Sequence, residues 1–183
     1  MEKRLTFRPG RAIVVPRTLA FLLAFTALAV LIAFSPSVPV LPVVTVLAIL
    51  VLGLFVFGVS PLFTEHWLTR SRLILRQGWY FRVILPFAEI ESLRPSEDVS
   101  RTRAPLGIHR PLGQASLYVL GGHTGIVVVR LLSPRRFWQA FGLQADEIVF
   151  DVLDREAFLQ AAAERRGSLA PVQSDRPDAH LGD

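Results

Sequence analysis

The chain has no cysteine, only one lysine (Lys3), and no ionisable residue anywhere from Thr18 to Thr64. The first absence excludes disulfides, thiolate-bound zinc and thiol nucleophiles, and removes the usual staple of a small secreted domain. That fits a cytoplasmic setting. The second means that the formal net charge of +5 is carried almost wholly by arginine. The third absence gathers the apolarity into one block. Hydrophobic residues make up 51% of the 183 residues and mean hydropathy is +0.44, which is too apolar for an ordinary soluble protein. A block without charge, flanked by normally charged sequence, is the signature of a membrane segment. The remaining length leaves room for one modest globular domain.

The block divides at Ser35-Pro36-Ser37-Val38-Pro39-Val40-Leu41-Pro42. Proline lacks an N–H and clashes with the preceding turn, so a run of three ends a helix. Each half approaches the roughly 20 residues that span a hydrocarbon core, and the spacing predicts spans over 18–34 and 43–61. Backbone groups in lipid must satisfy one another, which makes helices the expected form, and the short turn makes them an antiparallel hairpin within 18–62. A cleaved signal peptide is the alternative for the first run, since Arg17 precedes it and Ala33-Phe34-Ser35 has a small-x-small pattern. Pro36 directly after that site disfavours cleavage. A buried helical hairpin of a soluble protein is the other, and the uncharged stretch is too long for it.

The flanks set the orientation. Lys3, Arg4, Arg8, Arg11 and Arg17 precede the first span, Arg70, Arg72 and Arg76 follow the second, and the connecting turn has no basic residue. By the positive-inside tendency, the basic N-terminal segment 1–17 and everything after the hairpin lie in the cytoplasm, at the plasma membrane. Neither span contains a charged residue or a histidine, so the pair reads as an anchor rather than a transport pathway. Gly53 and Gly58 ease close packing without forming GxxxG.

From His66 the apolar pattern changes to period two. Trp67–Leu75 and Trp79–Leu85 read as a hairpin with Arg76-Gln77-Gly78 as its loop. In that register Leu73 faces Phe81, Leu75 faces Trp79 and Arg72 lies opposite Arg82, with Arg70 on the same face. Phe87–Leu93 is the next strand, and Arg94–Gln114 is a long loop with a short edge strand near Val99. Leu117–Leu120 and Ile126–Leu131 are strands joined by the glycine turn 121–125. Ser133-Pro134 predicts a short helix ending before Gly142. Ile148–Val152 is a last strand, and Asp154 caps a helix with Leu153, Ala157, Phe158, Ala161 and Ala162 on one stripe. Residues 167–183 have a disordered composition.

About seven strands followed by one amphipathic helix is an α+β pattern, with a bent sheet or partly open barrel plugged by the helix over 63–166. Leu68-Thr69-Arg70-Ser71-Arg72-Leu73 leading to Gly78, then Leu85-Pro86-Phe87-Ala88-Glu89-Ile90-Glu91-Ser92-Leu93, and finally Asp154-Arg155-Glu156-Ala157-Phe158-Leu159 together resemble the bacterial pleckstrin-homology-like (PH-like) family of membrane-tethered domains. The resemblance implies self-assembly or binding to a protein partner. Classical lipid-binding members concentrate basic residues around their first hairpin loop, and here only Arg76 falls within it.

Catalytic motifs are missing: there is no GxSxG, HExxH or P-loop. His66, His109, His123 and His180 have no metal-ligand spacing, so neither a metal nor a cofactor is expected. Glu89 and Glu91 flank Ile90 as a solvent face. Gly121–Gly125 precedes a strand, not the helix that a phosphate cradle requires. Like charges directly opposed across a sheet are unfavourable unless water or an anion separates them. Arg70, Arg72 and Arg82 are therefore one candidate anion or lipid contact. Arg101, Arg103 and Arg110 in the long loop are a second, and Arg135 with Arg136 a third, each basic side chain contributing on the order of 1 kcal/mol near an anionic leaflet. The leading expectation is a non-enzymatic, membrane-anchored interaction module. Headgroup binding is the alternative, and an accessory subunit of a membrane enzyme is the third reading. Nucleic-acid binding is not expected, because no recognised motif accompanies the charge.

Overall fold

The computed structural model describes residues 4–167, apart from 36, 38, 99, 100, 102 and 141 and the side chain of Gln139. The edge strand expected near Val99 and the tail beyond 167 lie outside the described residues.

Two long apolar helices follow a short first strand, β1 (Leu5–Phe7). Helix α1 (Val14–Phe34) is 21 residues long with a mean hydropathy of 2.2. Helix α2 (Val40–Gly53) runs on through a π-helical stretch, Leu54–Val59, and a 3-10 turn, Ser60–Phe63, giving 24 helical residues with a mean hydropathy of 3.0. Both are long and apolar enough to cross a membrane, and neither is buried by the rest of the chain. They begin at Val14 and Val40, earlier than proline positions alone suggest. Pro16 and Pro42 sit in first turns, where the missing N–H would have no intrahelical partner anyway. The hydroxyls of Thr26 and Thr45 donate to Leu22 O and Leu41 O, 2.9 Å in each case, so these polar atoms are satisfied within their own helices. Gly53 makes room for the Phe21 ring: a Cβ there would come within 2.8 Å of it.

After the hairpin, β1 pairs antiparallel with β2 (His66–Leu68), with Thr6 opposite Trp67. The segment before α1 is thus a strand of the β domain as well as a charged flank. Its pairing holds the outer ends of both helices on one side, against that domain. Strands β3 (Arg72–Gln77) and β4 (Phe81–Pro86) complete a four-stranded sheet in the order β1-β2-β3-β4. The stretch expected as one strand from Trp67 is broken at Thr69–Ser71. There the Thr69 hydroxyl oxygen accepts from Arg72 N at 3.2 Å and closes a tight turn.

The β3–β4 register corrects the expected one. Leu73 pairs with Leu85, Leu75 with Val83, and Arg72 with Pro86, while Arg76 lies opposite Arg82. The loop has three residues, but they are Gly78-Trp79-Tyr80, with Gly78 at φ +65°. The displacement is an even number of residues, so the apolar set keeps its face: Leu73, Leu75, Phe81, Val83 and Leu85 are all buried.

A 3-10 turn, Phe87–Glu89, passes the chain to a second sheet formed by β5 (Ile90–Pro95), β6 (Gly107–His109), β7 (Ser116–Leu120), β8 (Ile126–Phe137) and β9 (Leu143–Asp151), in the order β5-β8-β9-β7-β6. Two further expectations fail here. Ser133-Pro134 starts no helix: β8 runs through it to Phe137 and pairs back onto β9, with a register shift between Arg130 and Arg135. Proline is tolerated at such an irregularity because no ladder bond depends on its N–H. The 121–125 segment is a crossover instead of a hairpin turn, because β9 lies between β7 and β8 and runs parallel to β7.

The second sheet is covered on both faces, which explains why Leu117–Leu120 and Ile126–Val129 are continuous buried runs rather than alternating ones. One face meets the first sheet and helix α3 (Arg155–Gly167), and the other packs under Ala104 and Leu106 of the long loop. Asp154 accepts from Ala157 N at 3.1 Å, as a cap should. Phe158 and Ala162 are the buried residues of α3, whereas Leu153 and Ala157, expected on the apolar stripe, are exposed.

Candidate functional site

Three features meet where the helical hairpin joins the β domain. The first is a lock built on Arg17, in the first turn of α1. Its Nη1 donates to Phe57 O at 3.1 Å, a carbonyl in the π-helical stretch, and also bonds the Tyr80 hydroxyl. The Tyr80 ring lies 5.0 Å from that of Phe57. Next to it, Gly78 N donates to the Thr64 hydroxyl and Trp79 N to that of Ser60, each at 3.0 Å. The β3–β4 turn is therefore bonded to the end of α2.

The second feature is a buried polar pair, His66 and Asp151. The His66 ring accepts from Arg76 N at Nδ1, and Nε2 lies 3.2 Å from Asp151 O, so the Nε2–H tautomer satisfies both nitrogens. Burial holds the imidazole down to about 4, so it stays neutral. The Asp151 carboxylate accepts from Gly10 N at 2.5 Å and Gly121 N at 2.6 Å. Burial pushes it up to about 6, against the pull of these N–H groups and that of Gly122. The glycine-rich 121–125 segment does cradle an anion, and that anion is the chain's own carboxylate.

Their proton linkages have opposite signs. His66 is held below its ordinary value, so its contribution is complete above about pH 6.5 and is lost as pH falls towards 4. Asp151 is raised, so the folded state gains as pH falls through 6 towards 3.8. Each amounts to about 3 kcal/mol, and over this window they largely cancel. Replacing His66 by glutamine leaves only the Asp151 effect. The melting-temperature gap between wild type and H66Q in detergent should therefore narrow between pH 7 and pH 4.5; a constant gap would contradict the assignment.

The third feature is basic. Arg76 and Arg82 face each other across β3 and β4, and Arg4 and Arg76 lie over the Trp67 ring at 4.5 and 4.4 Å from its centroid. Burial, with Arg82 and Arg4 nearby, lowers the affinity of Arg76 for its proton. Around the sheet edge, Arg82 shares a cleft of about 370 Å³ with Trp79, Ile84, Arg135, Arg136 and Trp138. Arg135 donates to Glu89 at 2.8 Å and to Ile84 O at 3.1 Å. The Arg136 guanidinium lies 5.8 Å from the Trp138 ring. Among the described residues no acid pairs with Arg82 or Arg136.

The structure thus regroups the arginines expected from sequence. Arg82 leaves Arg70 and Arg72 and joins Arg135 and Arg136. Arg70 lies in the tight turn after β2, and Arg72 is exposed opposite Pro86. Arg101 is bonded to Glu147 at 2.9 Å, and Arg110 Nε donates to Gln114 O at 2.6 Å. Arg103 lines a separate cavity beside Ile13 and Arg17. Glu89 and Glu91 form surface ion pairs with Arg135 and Arg130. Arg17, Arg76, Trp79 and Trp138 complete the junction and the cleft, although none is among the arginine contacts expected from sequence. The usable signal is aromatic residues close after arginines, Trp79 after Arg76 and Trp138 after Arg135 and Arg136.

Among the described residues no group of three or more His, Asp or Glu side chains is placed to hold a metal ion. Together these features define a mixed α+β domain carried by two helices, each long and apolar enough to cross a membrane. Comparison with family models, curated proteins and solved structures gives no match.

Proposed function

We propose that the chain is a non-enzymatic, membrane-anchored interaction module of PH-like type. Its two helices span the plasma membrane and its β domain sits at the cytoplasmic face, where it binds a protein partner or a second copy of itself. The observation that carries this reading is the built junction. β1 pairs with β2, Gly10 is bonded to Asp151, and Arg17 is bonded to both Phe57 and Tyr80. A domain fixed to its anchor presents the same surface at every moment, which lowers the ordering cost of a weak interaction. The buried titratable groups support a non-catalytic role, because His66 and Asp151 spend their polar atoms on backbone partners. The arginines flanking the hairpin support the cytoplasmic orientation.

Co-expression of two differently tagged copies tests self-assembly. Capture of one tag from detergent should bring down the other, or a single stoichiometric partner. A monomer recovered alone would overturn the proposal, and a reporter fused after Asp183 but found outside the cell would overturn its orientation. The opposed Arg76 and Arg82 favour a second reading, in which the basic face engages anionic headgroups.

A further inference from the structure

We propose that the cleft between the β3–β4 turn and the β8–β9 hairpin binds the phosphate headgroup of an anionic lipid from the leaflet on the domain's side. The inference deepens the second reading and rests on the hairpin crossing a membrane. Four observations lead to it.

The cleft is cationic without compensation at two of its three arginines. Arg135 is paired with Glu89, whereas among the described residues no carboxylate pairs with Arg82 or Arg136. An unpaired guanidinium presents planar N–H donors that can engage a phosphate bidentately.

The cleft is also flanked by indoles that the domain leaves outside its core. Trp79 is 64% exposed and Trp138 is 75% exposed. Tryptophan is enriched at the membrane–water boundary, where its ring is accommodated at headgroup level.

One wall belongs to the membrane junction. Trp79 N is bonded to Ser60 at the end of α2, and the Tyr80 ring touches Phe57 inside the apolar helix. When the hairpin is inserted, this wall lies at the bilayer surface. That placement selects a lipid over a free phosphate ester: the lipid is held at high local concentration beside the cleft, while a soluble anion is not.

Finally, the site is accessible. Arg82 and Arg136 are exposed and the cleft opens to the surface.

The test uses the full-length protein in detergent micelles, with native mass spectrometry reading lipid retention. The probes are phosphatidylglycerol, phosphatidylcholine with the same acyl chains, and soluble glycerol phosphate. The wild type should retain phosphatidylglycerol over phosphatidylcholine. The R82Q/R136Q variant should lose phosphatidylglycerol affinity by roughly thirtyfold, two arginines near a membrane surface accounting for about that factor. R72Q/R103Q removes the same charge from exposed positions outside the cleft and should keep the wild-type preference. If the double variant folds poorly, R136Q alone, at the hairpin tip, should lose roughly fivefold.

The inference is overturned if R82Q/R136Q keeps its preference, or if R72Q/R103Q loses as much. Equal binding of glycerol phosphate and lipid would overturn the lipid assignment in favour of a soluble anion. A protein that needs no detergent would instead defeat the membrane reading beneath it.

Discussion

Replacing Asp151 by alanine should lower the melting temperature of the detergent-solubilised protein by about 15 °C. The Asp151 side chain is fully buried and terminates N–H groups from two distant segments, Gly10 before α1 and Gly121 before β8. Alanine leaves those donors buried and unpaired, at about 1–3 kcal/mol each. The sum is about 4 kcal/mol, and a domain of roughly 100 residues shifts by about 4 °C or more per kcal/mol. No rearrangement supplies another acceptor cheaply, because the backbones are in contact: a Cβ on Gly121 would lie 2.2 Å from Gly10 O. Asp151→Asn should be intermediate, since one amide oxygen still accepts while the NH2 group opposes an N–H. The loss should also appear locally, as faster tryptic cleavage after Arg11, which follows the Gly10 that the carboxylate holds in place. A shift below about 3 °C would show that the carboxylate is not the clasp between arm and domain.

That clasp was not legible in the sequence. Asp151 reads correctly as a strand end, but Gly121-Gly122 reads as part of a hairpin turn and is instead a crossover. Their meeting depends on β9 entering between β7 and β8, a long-range choice that no local pattern encodes. The apolar hairpin was legible because desolvating charge sets a requirement that each residue meets by itself. The buried faces of β3 and β4 were legible for the same reason, since alternation survives any even shift of register.

The partners across those strands were not. Trp79 and Tyr80 have strand propensity, yet they form the loop because Tyr80 is drawn against Phe57 and Arg17 at the junction with the helical hairpin. Tertiary contact outweighs a β preference that spans only about 1 kcal/mol. Ser133-Pro134 carries a sound helix-start signal, and pairing along β8–β9 overrides it. The basic cleft shares this fate. Arg82 and Arg136 come from different sheets, and only the bend between the sheets brings them together.

Phe158→Ala is the second substitution expected to act strongly, with a loss of about 3–5 kcal/mol and a melting temperature more than 10 °C lower. The ring is fully buried and packs edge-on against Phe7 at 5.1 Å and Phe150 at 5.5 Å. It therefore joins three chain segments: the arm before α1, the last strand and the closing helix. Its removal leaves a cavity among residues that cannot collapse into it, because Phe150 is fixed in the sheet and Phe7 in the β1–β2 pairing. The far end of α3 should loosen too, since Arg166 holds β5 through Ile90 O and Glu91 O at 3.2 Å each. Hydrogen exchange should then rise in α3 and β1 before it rises in β8. Leu153→Ala is the control that separates this from a general sensitivity of the helix. Leu153 belongs to the same apolar stripe by sequence spacing but is 59% exposed, so its loss should change stability by less than about 0.5 kcal/mol. If the two substitutions prove equally costly, α3 packs against the sheets by a different face from the one that holds Phe158.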